Sequence, residues 1–265
     1  MNDSMIIGQY VPGQSLVHRM DPRMKMTIIF FFVIVVFFAN SFGSYGLLTL
    51  FAFVSVAITR IPLSFILKGL KPVWFLILFT FLLHVFFTRQ GDVLFEIFSF
   101  PVYEEAIEQG VKISLRFFLL ILLTSLLTLT TTPISITDAI ESMFHPLKKV
   151  KFPVHELALM MSISLRFIPT LMQETEKISK AQASRGVDFR SGPIKERVKA
   201  IVPLLVPLFV SAFKRAEDLA MAMEARGYQG GEGRTKLREL TLTKEDIAAL
   251  VLFVVVMVGV FILRT

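Results

Sequence analysis

The chain has 265 residues, of which 54% are hydrophobic, 18% are charged and 27 are Phe. A soluble domain averages about 45–50% apolar and about 25% charged residues, and the excess here lies in runs without charge, the pattern of bilayer-spanning helices. The net charge of +7 is modest and gathered in a few connections, which argues against a nucleic-acid partner, and the absence of cysteine excludes a disulfide framework, a zinc–thiolate site and a cysteine nucleophile.

Residues 1–25 form a polar lead-in without the apolar core of a cleavable signal peptide. It closes on His18-Arg19-Met20-Asp21-Pro22-Arg23-Met24-Lys25, which sets three strong cations just before the first apolar run. Met26 to Thr59 carries no charge and is too long for one crossing of about 20 residues. The turn chemistry of Asn40-Ser41-Phe42-Gly43-Ser44 divides it into spans near 25–40 and 44–60. Pro62 breaks the chain, Arg60, Lys68 and Lys71 make a basic connection, and a third span is expected at 72–88. An acidic loop at 89–109 holds Asp92, Glu96, Glu104, Glu105 and Glu108. A fourth span follows at 111–131, ended by Pro133, and a fifth lies within the segment 244–265. Basic residues flank alternate connections, so the positive-inside rule predicts a multi-pass protein of the cell membrane, N-terminus cytoplasmic and C-terminus outside. The fold class is an all-α integral membrane protein of about five transmembrane helices. Its expected parts are a membrane region at 1–132, a cytoplasmic module at 133–243 and the last helix at 244–265.

The 133–243 module opens on Ser135-Ile136-Thr137-Asp138, a capping-box-like start. Ile136, Ile140, Met143, Phe144 and Leu147 then mark a short amphipathic helix, ended near Pro146. Two long helices follow, one from Pro153 and one from near Pro193. Each is apolar in its first half and polar in its second, so each is expected to begin against the membrane portion and project its polar end into the cytoplasm. Pro169, Pro203 and Pro207 remove helical hydrogen bonds and are expected to act as kinks or hinges. Gly230-Gly231-Glu232-Gly233 is an exit loop and not a phosphate cradle, since no Lys-Ser/Thr follows.

The two long helices close on the same residues. Glu176, Ile178, Ala181, Arg185 and Gly186 fall in register with Glu217, Leu219, Ala222, Arg226 and Gly227. An Arg-Gly end is also an ordinary C-cap, in which a cation suits the helix dipole and Gly supplies the left-handed stop. One copy would carry no more than that. Two copies, each with small residues leaving the Arg clear, point to two similar receiving grooves.

Other chemistry is thin. No phosphate-binding loop and no H-E-x-x-H occur, and the four His are scattered. His84 alone is titratable well inside a span, where packing or snorkelling explains it. No Asp or Glu lies mid-span, so an ion-coupled carrier lacks its usual machinery. No acidic cluster has metal-ligand spacing. Asp138, Glu141 and His145 are the one cluster an enzyme acting on a lipid or isoprenoid could use, and a solvated helix face explains them equally. A stand-alone permease and a plain membrane anchor are also compatible with these residues.

The lead-in Gly8-x-Tyr10-x-Pro12-Gly13-x-Ser15-x-x-His18-Arg19-x-Asp21-Pro22-Arg23-x-Lys25 resembles the N-terminal signature of the EcfT family, the transmembrane components of energy-coupling factor (ECF) transporters. Glu156-Leu157, Leu165-Arg166-Phe167-Ile168-Pro169 and Ala181-Gln182-Ala183-Ser184-Arg185-Gly186 resemble that family's first coupling stretch, and Glu224-Ala225-Arg226-Gly227 its second. Ser184 stands where the family commonly has Ala, and a small residue is kept. The resemblance covers essentially the whole chain. It implies a non-catalytic scaffold without cofactor of its own. Two ABC-type ATPase subunits, carrying ATP and Mg, would dock on Ala183, Ser184, Arg185 and Gly186 and on Ala225, Arg226 and Gly227. A small membrane subunit beside it would capture a vitamin or other micronutrient, and specificity would reside in that chain.

Overall fold

The computed structural model describes residues 10–97, 100–187, 194–230 and 240–264. Gly8, Pro193 and Gly231 to Gly233, used in reading the sequence, lie outside the described residues. The elements in order are α1 (Leu16–Arg19), α2 (Pro22–Phe38), α3 (Phe42–Thr59), α4 (Leu63–Phe87), β1 (Val93–Ile97), β2 (Phe100–Tyr103), α5 (Glu104–Thr130), α6 (Pro133–Phe144), a 3-10 turn (His145–Val150), α7 (Val154–Ser184), α8 (Ile194–Ala225) and α9 (Lys244–Ile262). They form two compact units, one of Met1–Ala139 with Leu240–Thr265 and one of Ile140–Glu239.

The first unit is a bundle in which α2, α3, α5 and α9 enclose a largely aliphatic core, joined by Ile66 and Leu70 of α4. Phe51 of α3 sits between Phe32 of α2 and Phe253 of α9, with ring centroids 6.0 and 5.6 Å away. Lipid is as apolar as these side chains, so close packing rather than water exclusion must hold such a bundle. Gly259 permits that closeness, because a Cβ there would stand 2.7 Å from Leu47 Cδ2. The outward Phe30, Phe37, Phe75 and Phe87 are exposed, as suits a lipid-facing surface.

One end of the bundle is tied by side chains. Ser41 Oγ donates to Leu263 O and Ser44 Oγ to Val260 O (3.2 Å), joining the α2–α3 turn to the end of α9. Arg116 of α5 donates to Tyr45 Oη from Nη2 (2.9 Å) and Nε (3.1 Å), and its guanidinium lies over Phe37. The guanidinium is thus satisfied without a carboxylate inside an apolar helix.

Several local readings change. α5 begins at Glu104 rather than 111, so Glu104, Glu105 and Glu108 belong to its first turns, where acid complements the helix dipole. Before it, β1 and β2 form an antiparallel hairpin with Val93 opposite Tyr103 and Ile97 opposite Phe100, a structure too short for its periodicity to announce. The stretch from Leu63 is helical rather than a connection, and α4 bends by 60° between Lys71 and Val73, where Pro72 has no amide to donate. α6 starts at Pro133, two residues before Ser135. Thr132 Oγ1 accepts the Ser135 N–H (3.2 Å), and proline suits a first turn.

Helices α3, α5, α7 and α9 are long and apolar enough to cross a membrane, and the bent α4 makes a fifth if counted as one span. α2, with 17 residues, spans only about 26 Å at 1.5 Å per residue, a little under the bilayer core. From the sequence, α7 is expected in a cytoplasmic module. Its apolar first half nevertheless satisfies the length and hydropathy criterion, while its second half carries Glu174, Glu176, Lys177 and Lys180.

In the second unit α7 and α8 pack against each other. Glu174 accepts from Ser211 Oγ (2.8 Å) and from Arg215 Nη2 (2.6 Å), and Gln182 Nε2 makes a long contact with Pro203 O (3.5 Å). Ile163 and Phe167 share a groove of about 280 Å³ with Leu219 and Met223. Rising numbers on α7 therefore meet falling numbers on α8, and the pair is antiparallel. This corrects the expectation that both polar ends project the same way: the end of α7 lies beside the start of α8. The helices run unbroken through Pro169, Pro203 and Pro207. Pro207 cannot donate to Pro203 O, and Gln182 reaches that freed carbonyl.

Candidate coupling site

The two Arg-Gly ends have one geometry. On α7 the Arg185 N–H donates to Gln182 O, Gly186 N–H to Ala183 O and Val187 N–H to Gln182 O, all at 3.0 Å. On α8 the Gly227 N–H donates to Glu224 O (2.9 Å) and Tyr228 N–H to Met223 O (3.0 Å). The bond reaching back five residues, after a glycine at φ +85° (Gly186) or +74° (Gly227), is the Schellman pattern in both. Nothing lies within 4 Å of a Cβ built on either glycine, so it is the left-handed backbone and not space that calls for Gly.

Arg185 and Arg226 are both exposed, and among the described residues neither makes a salt bridge. Ala183, Ser184 and Ala225 around them are also exposed and small. Glu176, about two and a half turns before Arg185, is engaged by Lys180 (2.7 Å) and not by the arginine. Antiparallel packing sets the two tips at opposite ends of the pair. Counting from the level of Pro203 to Arg226 at 1.5 Å per residue, they stand on the order of 35 Å apart.

The remaining clusters come apart. Glu141 faces His155, whose Nδ1 lies 3.1 Å from Oε1, while His145 is exposed. His84 Nδ1 lies 2.9 Å from Thr80 O on its own helix. Among the described residues no three His, Cys, Asp or Glu are placed to hold a metal.

A second cluster of charged residues is visible in the sequence only as a signature, without a role. Around the start of α2, Asp21, Lys25 and Asp246 are 5%, 5% and 0% exposed. Arg23 forks onto Asp21 (Nη2–Oδ2 2.7 Å, Nε–Oδ1 3.1 Å) and donates to Leu240 O (2.8 Å). The Asp21 N–H donates to Asp246 Oδ1 (2.8 Å), and Asp246 Oδ2 accepts from Thr243 N–H and Oγ1 (both 2.8 Å), closing the capping box of α9. Lys25 Nζ donates to Thr130 O (3.1 Å) and Thr131 Oγ1 (3.2 Å). Leading into this knot, the His18 ring bridges Val11 O (3.1 Å) and Ser15 Oγ (2.7 Å) against Gly13, where a Cβ would stand 2.6 Å from His18 Cε1. Burial lowers the His18 pKa, the Val11 carbonyl works against that, and Lys25 adds to the lowering.

Comparison with known proteins shows the family. Residues 13–237 match the model of the CbiQ family, described as cobalt transport protein. The chain is 65% identical over 264 residues to the energy-coupling factor transporter transmembrane protein EcfT of Bacillus subtilis (strain 168), covering 100% of both chains. It is 55% identical to EcfT of Exiguobacterium sibiricum, covering 94% of this chain and 95% of that one. It is 47% identical to EcfT of Streptococcus thermophilus, covering 99% and 100%. An all-α, multi-pass chain that matches over nearly its full length belongs to the CbiQ/EcfT family of transmembrane components of energy-coupling factor transporters.

Proposed function

We propose that the chain is the non-catalytic coupling subunit of an ECF transporter, docking one ATPase subunit on each Arg-Gly tip. The observation that carries this is the pair itself: two exposed arginines on identically capped helix ends, set far apart by antiparallel packing. One partner of ordinary size would meet one tip, whereas a pair of like ATPases would meet both. Each guanidinium is a planar fork suited to a carboxylate in a receiving groove. ATP and Mg would belong to those partners, since this chain has no phosphate-binding loop. Pro169, Pro203 and Pro207, where helical bonds are missing, would let α7 and α8 flex under load. A small membrane subunit that captures a vitamin or similar nutrient would be the third partner. The basic connections orient the chain with its N-terminus inside and C-terminus outside.

The test is purification of the tagged chain from its own cells. ATPase subunits are expected with the wild type and absent from the Arg185→Ala/Arg226→Ala chain. A double variant that retains them removes the docking role. Purified alone, the chain is expected to hydrolyse no ATP, and a reporter fused after Thr265 to be active only outside the cell.

A further inference from the structure

The 140–239 unit is joined to the bundle at two places, through Thr130–Ala139 on the way out and through Leu240–Asp246 on the way back. One short motif grips both. Lys25 holds the outgoing chain by Thr130 O and Thr131 Oγ1. Asp21 and Arg23 hold the returning chain, by the Asp21 N–H on Asp246 and by Arg23 on Leu240 O. These three residues lie within five positions at the start of α2, whose Phe32 and Val36 are fully buried in the bundle core.

The chemistry is costly for a purely structural joint. Buried ions lose their hydration, and well-packed apolar residues often stabilise as well or better. What ions and charged hydrogen bonds add is direction: they fix a particular carbonyl or carboxylate rather than a patch. Asp21 and Asp246 balance Arg23 and Lys25 in formal charge, so removing one partner leaves a charge uncompensated beside the buried Asp21, Lys25 and Asp246, while Arg23 itself stays partly exposed. Such a joint resists partial opening.

We infer that Asp21, Arg23 and Lys25 form an anchor for both connections of the 140–239 unit, so that displacement of the Arg-tipped helices reaches the bundle instead of being absorbed in slack chain. This rests on the coupling role proposed above. The three are positioning residues, touching neither nucleotide nor transported molecule.

The experiment compares Lys25→Met, Arg23→Gln and, as control, Ser44→Ala, which loses a bond at the opposite end of the bundle. Hydrogen–deuterium exchange of the purified chain is the first readout. Lys25→Met is expected to speed exchange about tenfold or more in 130–136, and Arg23→Gln in 240–247, from loss of a charged hydrogen bond. Ser44→Ala should change neither segment. Should Arg23→Gln fail to fold, Asp246→Asn tests the returning side more gently, keeping an acceptor for the Asp21 N–H. The second readout uses the cysteine-free background: a fluorophore on Trp74→Cys, attached before assembly with the ATPases. Its ATP-induced emission change is expected to shrink severalfold in Lys25→Met and Arg23→Gln with the ATPases still bound, and to persist in Ser44→Ala. Unchanged exchange overturns the anchor, and loosened segments with a full ATP response overturn its part in coupling. ATPases absent from the wild-type complex would defeat the proposed function instead, and the exchange result would still decide the anchor.

Discussion

The two units use apolar residues differently. In the bundle, Phe32, Tyr45, Leu48, Phe253 and Val260 are enclosed, and each end of the bundle is tied by polar side chains. In the 140–239 unit, Val154 and Ala158 are the buried residues among those described, while Met160, Met172, Phe209, Val210 and Phe213 are exposed. Phe213 is 72% exposed and Phe32 is 0% exposed. The bundle completes its own core against lipid. The second unit leaves apolar surface and two charged tips uncovered, as the proposed docking of partners requires.

The strongest way to break that contrast is at the tips. Truncating one member of a charge-paired contact at a buried interface costs about 2–5 kcal/mol, and each ~1.4 kcal/mol is tenfold in affinity. Arg185→Ala or Arg226→Ala alone should therefore weaken its own dock by roughly 30- to several-thousand-fold. The remaining contact still tethers the ATPases at high effective concentration, so co-purification should survive in each single variant and fail in the double. Lys at either position should restore little, since it lacks the two-point fork. Were the arginines only C-caps, each would contribute about 0.3–1 kcal/mol and the double variant would stay assembled.

The next test sets one phenylalanine from each unit side by side. Phe32→Ala opens a cavity in the bundle and should lower its stability by about 3–5 kcal/mol, read as a fall in the thermal midpoint of the purified chain. Phe213→Ala should change stability by no more than about 0.5 kcal/mol, leaving that midpoint nearly unmoved, and reduce recovery of the assembled complex. Equal loss of stability in both variants would show that the second unit has a core of its own.

A smaller effect is expected from the caps. Gly186→Ala and Gly227→Ala place a side chain at left-handed φ, at a cost of about 1–2 kcal/mol each. The last turn should fray, and ATPase affinity should fall by roughly tenfold per site, with the bundle's thermal midpoint unchanged.

The smallest effect is at His18. Its folded pKa lies below the ordinary 6.5, because burial disfavours the imidazolium. The stability contributed by the neutral ring is present above pH 6.5 and is lost as pH falls through the lowered folded value. Thermal midpoints of the wild-type chain should decline over that interval, and His18→Gln should flatten the decline. A profile identical in the two chains would assign the acid sensitivity elsewhere.

Much that is legible in the sequence is encoded within a turn or two of chain. The charge-free runs, Pro133 and the Arg185-Gly186 and Arg226-Gly227 ends are local: hydrogen bonds to residues three to five back, and a backbone angle only glycine adopts readily, determine them. The start of α5 at Glu104 is not legible in this way, because acidic residues suit both a loop and a helix N-terminus, and only the hairpin before it decides. Tertiary structure alone decided three things. It set α7 against α8 antiparallel, through contacts such as Glu174 with Arg215, and so parted the two tips. It gave Arg116 its partner in Tyr45, 71 residues away. It turned the Asp21-Pro22-Arg23-x-Lys25 signature into a knot whose partners lie 105 residues on at Thr130 and 225 on at Asp246. A charge before an apolar helix reads in sequence as a membrane-flanking cation; whether it is solvated or buried depends on which distant carbonyls and carboxylates the fold brings to it.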